Sequence, residues 1–293
     1  MEIQEQLKEA GTKVEPKISG IGVKVSGAVH EAILRSGEGG RTVADFLHGT
    51  WLGHPLHPVL TDIALGSWTL GGVFDALGSA RGDSSAKRIG DKLTAAGCIA
   101  AVPTALTGMV DYSTLPKEAA ATATLHGGLN SIILGLYLLS LRDRKRGRRS
   151  RGLFFSGMAL GLACVSAWLG GRLVYKHRVG VDHREDITGP ADWTPVLDEA
   201  ELHERQPRRV EVEGKGVLLY REGSKIFAMG AVCGHAGGPL EEGKFCGGTV
   251  QCPWHDSVFH LESGRVKHGP ATNRQASFDV RVRDGRIEIK LKS

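Results

Sequence analysis

Residues 233–259 read CGHAGGPLEEGKFCGGTVQCPWHDSVF, and this stretch decides the architecture of the C-terminal third of the chain. One short segment offers Cys233 and His235, and a second offers Cys252 and His255. The pattern is CxH, sixteen residues, then CxxH. Thiolate and imidazole both bind zinc and iron well, so two of each in alternation read as a metal site. Gly234, Gly237 and Gly238 permit tight main-chain turns, and Pro239 and Pro253 stiffen the two segments. A structural Cys2His2 zinc site is the bland alternative. Zinc fingers, however, normally carry both histidines on a helix at wider spacing, whereas here each histidine follows its own cysteine. A single iron or a structural disulfide would leave the paired histidines unexplained.

The sequence around these segments is short, alternating and β-branched: RRVEVE, GVLLYRE, KIFAMGA, GTVQC, SVFHL, GRVKH, SFDVRVR and RIEIKL. Turn signals such as EGKG, REGS, ESGR and Asp284-Gly285 separate them, which predicts a small antiparallel barrel or sandwich of about 95 residues. From about Val196 to Lys290 the chain resembles Rieske ferredoxins. CGHAGGPL and CPWHDSVF match their two loops, and HGPAT matches their downstream proline loop. The resemblance implies a 2Fe-2S cluster in which each loop supplies one cysteine and one histidine. Cys233 and Cys252 would hold the ferric iron and His235 and His255 the reducible one, in a protein that transfers single electrons.

Respiratory Rieske proteins add one disulfide-forming cysteine per loop, and here Gly238 and Trp254 occupy those places. Phe259 stands where they have a tyrosine that bonds a ligand sulfur, while Ser257 keeps the serine position. Fewer hydrogen bonds to sulfur favour the oxidised cluster, so a potential in the lower part of the Rieske range is expected. Cys246 is out of ligand register and reads as a loop thiol. No set of two histidines and one carboxylate follows that would form the mononuclear iron site of an oxygenase.

Before the strands, KHRVGVDHREDITGPADWTP (residues 176–195) is polar, has two prolines and reads as a linker, with room for a mobile tether. Residues 45–175 read as an all-α transmembrane bundle. Residues 93–110, 119–141 and 153–171 contain no Asp, Glu, Lys or Arg and approach or exceed the length of a membrane-crossing helix. A fourth candidate, about residues 59–80, is interrupted by Asp62 and Asp75. Small residues four apart, as in Ser67 with Gly71, Gly97 with Ala101 and Gly157 with Gly161, favour close helix approach. Arg81, Lys87, Arg88 and Lys92 follow the candidate span at 59–80, and a basic run from Arg142 to Arg151 follows the one at 119–141. The positive-inside rule puts both loops in the cytoplasm, and with about four spans the Rieske domain is then extracytoplasmic. Arg148 and Arg149 loosely resemble a twin-arginine export signal, an ordinary positive-inside loop being the alternative. Residues 1–44 form a polar or amphipathic region, and its opening MEIQEQLKEAGTKVEPK lacks the pattern of a cleavable signal.

GTWLGHPLHP, Val110 to Tyr112 and His126 resemble a bacterial membrane family marked by a His-Pro-Leu-His-Pro signature and about four spans. That resemblance implies topology rather than chemistry. His54, His57 or His126 offer a haem or proton-relay reading. The alternative is that His57, Asp62 and His126 hydrogen-bond one another at helix ends. Cys98 and Cys164 lie in apolar runs as structural thiols. The formal charge of +5 comes from loops beside apolar runs rather than from a basic face with stacking aromatics, so nucleic acid is not an expected partner. The expected partners are an electron donor and acceptor, whether proteins or quinol, and a lipid bilayer. The expectation is a membrane-anchored electron carrier. The alternative is a subunit of a quinol- or haem-linked oxidoreductase using the bundle histidines, and a redox sensor is a third reading.

Overall fold

A computed structural model describes residues 2–292, with side chains from Pro16 onward. The expected polar opening of the chain lies outside the described side chains. The chain divides into two compact units, one of residues up to Arg35 with Leu56–Val179, the other of Ser36–Pro55 with Gly180 onward. Ser36–Pro55 therefore groups with the strands, although its second half reads in sequence as the start of the bundle. So does much of the linker.

The first unit is helical: α1 (Glu2–Arg35), α3 (Leu56–Arg81), α4 (Ser84–Tyr112), α5 (Ala120–Lys145) and α6 (Arg149–Tyr175). Gly82 in the left-handed region (φ 66°) ends α3, and Asp83 starts α4 by accepting the Ser85 N–H at 2.7 Å. Helices α3 and α4 therefore form a tight antiparallel hairpin. Its close approach depends on glycine: a Cβ on Gly71 would lie 3.2 Å from Thr94 Oγ1, and one on Gly97 would overlap the Trp68 indole. Trp68 in turn stacks on Tyr137 of α5 at 4.4 Å, within a core of Cys98, Ile133, Leu136, Ala159 and Ala163. Gly157 and Gly161, also expected at a helix contact, have no neighbour within 4 Å of a built Cβ. Helix α1 joins this unit near the α4–α5 turn, where Tyr112 Oη donates to Gly22 O at 3.2 Å.

Among the described residues, three helical segments are long and apolar enough to cross a membrane: Ser84–Tyr112, Lys117–Lys145 and Arg149–Tyr175. The fourth expected span, α3, falls outside that set, because Asp62 and Asp75 lower its apolar content. Asp75 is not left bare. Arg144 of α5 bonds it at 2.6 Å and Arg149 of α6 at 2.8 Å, and both arginines also bond Asp91 of α4. One arginine of the pair read as an export signal is thus part of an ion network joining α3, α4, α5 and α6.

The second unit is all-β apart from α2 (Gly37–His48) and short 3-10 turns. Its strands are β1 (Thr194–Asp198), β2 (Arg208–Val212), β3 (Lys215–Glu222), β4 (Lys225–Gly230), β5 (Lys244–Cys246), β6 (Thr249–Gln251), β7 (Val258–His260), β8 (Val266–His268), β9 (Ser277–Arg283) and β10 (Arg286–Leu291). They form two antiparallel sheets, β1-β10-β9-β4-β3-β2 and β5-β6-β7-β8. Asp284 and Gly285 both adopt positive φ, 51° and 74°, as a two-residue Asp-Gly hairpin requires. Val217, Leu219, Ala228, Phe278, Ile287 and Ile289 fill one core, and Leu218, Met229, Leu240, Val250, Phe259 and Leu261 fill another. In β3, alternate residues serve alternate cores, as the period of two demands.

Part of the linker is docked rather than free. His183 N–H donates to Gly234 O at 2.9 Å, Gly216 N–H donates to Glu185 Oε2 at 2.6 Å, and Arg184 reaches the Arg274 carbonyl. A stretch read as a tether is therefore a strap on this unit that passes the first cysteine loop at His183.

Candidate metal centre

Two loops carry the four expected donors, one between β4 and β5 and one between β6 and β7. They are closed by the same main-chain bonds. Cys233 N–H donates to Gly238 O at 2.8 Å and Gly237 N–H to Cys233 O at 2.9 Å. Cys252 N–H donates to Ser257 O at 2.8 Å and Asp256 N–H to Cys252 O at 3.3 Å. Each cysteine thus sits at the base of a turn closed by the residues four and five positions later. The fourth residue needs a left-handed backbone in both loops, met by Gly237 (φ 82°) and by Asp256 (φ 63°).

This folding buries both sulfurs and leaves both imidazoles half-buried. Cys233 is 1% and Cys252 2% exposed, and the His235 and His255 rings lie 4.9 Å apart between centroids, at 81°. Cys233 Sγ receives the His235 N–H and the Ser257 hydroxyl, while Cys252 Sγ receives the N–H groups of Trp254 and His255. The Cys233 thiol donates to Cys252, and that bond together with burial pushes it well above its ordinary value of 9.0. Accepting the same bond, with help from the two N–H groups, draws Cys252 down to about 7 against the effect of burial. Gly238 closes the pocket wall: a Cβ there would stand 2.8 Å from Cys252 Sγ and 3.2 Å from the Trp254 ring.

The donor set fits a two-iron cluster. Paired sulfurs face main-chain N–H groups at the buried end, and paired imidazoles lie toward the surface. Behind the sulfurs, Ser257 is fully buried and accepts the Ala271 N–H at 3.0 Å. Phe259 is also fully buried and adds no hydroxyl. Cys246 is exposed at the end of β5.

The bundle histidines do not share one another's hydrogen bonds. His57 Nδ1 bonds Thr104 O at 2.9 Å, with its ring against Gly108. His126 Nδ1 bonds Ser166 O at 2.9 Å and its Nε2 accepts from Asn130 at 3.0 Å. His54 Nδ1 contacts Pro55 O at 3.1 Å and belongs to the other unit. Both His126 nitrogens thus have polar partners within the bundle. Sequence reasoning missed α2 and the strap as parts of the site's surroundings. Their partners are hundreds of positions away or across a turn-rich stretch, and no local period announces such contacts.

A family model described as the Rieske [2Fe-2S] domain matches residues 192–279, and one described as a predicted membrane protein (DUF2231) matches residues 53–183. The anthranilate 1,2-dioxygenase ferredoxin subunit of Burkholderia cepacia is 30% identical over 101 residues, covering 34% of this chain and 94% of the relative. Apoptosis-inducing factor 3 of Mus musculus is 31% identical over 90 residues, 31% of this chain and 15% of that protein. A solved structure, the ferredoxin of carbazole 1,9a-dioxygenase from Nocardioides aromaticivorans IC177, is 25% identical. It covers 34% of this chain and 98% of its own, with a TM-score of 0.33. The chain belongs to the Rieske [2Fe-2S] family through its C-terminal domain, a cluster-carrying electron-transfer domain joined to a predicted membrane domain.

Proposed function

We propose that Cys233, His235, Cys252 and His255 hold the 2Fe-2S cluster, and that the chain is a membrane-anchored carrier passing single electrons between a donor and an acceptor. The observation that carries this reading is the pair of equivalent loops, which gathers two buried sulfurs and two half-buried imidazoles in one pocket. When bound, the cluster supplies a one-electron couple. The chain's own groups do the rest. Main-chain N–H groups and Ser257 direct hydrogen bonds at the ligand sulfurs, and the buried core excludes water from that side. The half-buried histidines put the redox-active edge nearest the partners. Ferredoxin relatives of dioxygenases make a soluble oxidoreductase one kind of acceptor, and quinol is the alternative donor.

The bundle supports an anchor that holds the second unit on the extracytoplasmic side. Contacts between α3 and α4 run from Gly78 beside Lys87 to His57 beside Gly108, so α3 accompanies α4 along its length. The ion network brings the C-terminal ends of α3 and α5 to the N-terminal ends of α4 and α6. Both basic loops are therefore at one end of a four-helix bundle, the end the positive-inside rule assigns to the cytoplasm. Redox titration of the detergent-solubilised chain tests the carrier. A reversible one-electron EPR signal is expected, and its loss in Cys233→Ser and His255→Ala identifies the ligands. An unchanged signal in either variant overturns the assignment.

A further inference from the structure

Helix α2 is bonded to the loop that follows β8, within the same compact unit. Asp45 of α2 accepts from His268 Nδ1 at 2.8 Å and from Gly269 N–H at 2.7 Å. Around this pair the fit is close. A Cβ on Gly269 would lie 3.1 Å from Thr50 Cγ2 and 3.5 Å from the His48 ring. Glu38 Oε2 stands 3.1 Å from His268 Nε2, out of line for a hydrogen bond. One turn before Asp45, Arg41 donates to Asp256 O at 3.3 Å, within the second cysteine loop.

The far end of the 268–271 loop reaches the sulfurs. Ala271 is 1% exposed, and its N–H donates to Ser257 Oγ at 3.0 Å. A hydroxyl oxygen that accepts from Ala271 keeps its own proton for another acceptor. That acceptor is Cys233 Sγ. A continuous series of contacts therefore runs from Asp45 through residues 268–271 and Ser257 to sulfur.

We propose that Asp45 is a positioning residue for the redox centre: by holding His268 and Gly269 it fixes the loop that orients Ser257 toward Cys233. This rests on Cys233 being a cluster ligand. A hydrogen bond to a ligand sulfur stabilises the more negative, reduced cluster, so loosening the loop lowers the midpoint potential. The carboxylate charge acts in the opposite sense, since removing a nearby anion favours reduction. The two roles therefore differ in sign.

The test is the midpoint of the full chain in detergent, read by EPR, for Asp45→Ala, Asp45→Asn, Ser257→Ala and the Asp45→Ala/Ser257→Ala double variant. Asp45→Ala should lower the midpoint. Asp45→Asn, which keeps an oxygen for the Gly269 N–H, should restore it. In the Ser257→Ala background Asp45→Ala should have no further effect, because both changes remove one bond. The proposal is overturned if Asp45→Ala leaves the midpoint unchanged, if both Asp45 variants raise it alike, or if the full shift persists without Ser257. A loaded Ser257→Ala chain with an unshifted midpoint also overturns it, and loss of signal in Cys233→Ser then shows whether the ligand assignment itself survives. Should Asp45→Ala fail to accumulate cluster, His268→Leu removes one of the two bonds and keeps the charge. A lowered midpoint then supports the proposal, and an unchanged or raised one overturns it.

Discussion

Gly238 shows how closely single residues shape this centre. Even a methyl group at this place would stand 2.8 Å from Cys252 Sγ and 3.2 Å from the Trp254 ring. Gly238→Ala is expected to lower cluster content at least severalfold, read as iron and labile sulfide per chain, because two ordered neighbours must shift. Wild-type content would contradict the packing described for the pocket wall. The sulfurs receive two N–H groups at Cys252, and one N–H and one hydroxyl at Cys233. Phe259 is fully buried and supplies no further donor. A midpoint in the lower part of the Rieske range of about −150 to +300 mV is therefore expected, and one near its top would contradict this count. The four proposed ligands were legible as candidates in the sequence because each loop announces itself within a few positions. Asp45 was not, since its partners His268 and Gly269 are 223 and 224 positions away.

Among the elements, the longer strands were legible from alternation, and the Asp284-Gly285 hairpin from turn chemistry. Two short strands were not. β5 (Lys244–Cys246) has no β-branched residue, unlike the equally short β6, β7 and β8, and β1 contains Pro195 at the sheet edge, where a missing N–H is tolerated but the sequence signal weakens. The long helices were legible from uncharged runs, but the reason α3 carries Asp75 was not. It lies in two arginines more than sixty positions away: Arg144, whose side chain is 2% exposed, and Arg149. Removing Arg144 takes away the more deeply buried of the two partners of Asp75 and leaves Arg149 alone to compensate it. Arg144→Met is thus expected to destabilise the bundle, by less than the roughly 3–5 kcal/mol of a buried charge left with no partner, read as a lower unfolding midpoint in detergent. Gly97→Val would overfill the Trp68 contact at a cost of about 1–3 kcal/mol by the same measurement. A wild-type midpoint in either variant would show that these contacts contribute nothing net.

At the scale of the whole molecule, division into a helical membrane part and a β cluster part was readable from texture alone, but the division point was not. Ser36–Pro55 precedes the bundle in sequence and groups with the strands, because its polar face carries Arg41 and Asp45, whose partners are in the cysteine and proline loops. The proposed membrane sidedness rests on the two basic loops at one end of the bundle. In a Cys164→Ser/Cys246→Ser background, which removes the exposed native thiols, a cysteine introduced at Ser84 should react with an impermeant thiol reagent in inverted vesicles and be protected in right-side-out ones. The reverse pattern would put the cluster domain in the cytoplasm. The measurement that bears most directly on the central claim is a combined optical and EPR spectrum of the reduced, detergent-solubilised full chain with its metal content. The account predicts iron and labile sulfide in equal amounts and a cluster signal that disappears in Cys233→Ser. A colourless protein binding zinc stoichiometrically, or an iron signal untouched by that substitution, would contradict it.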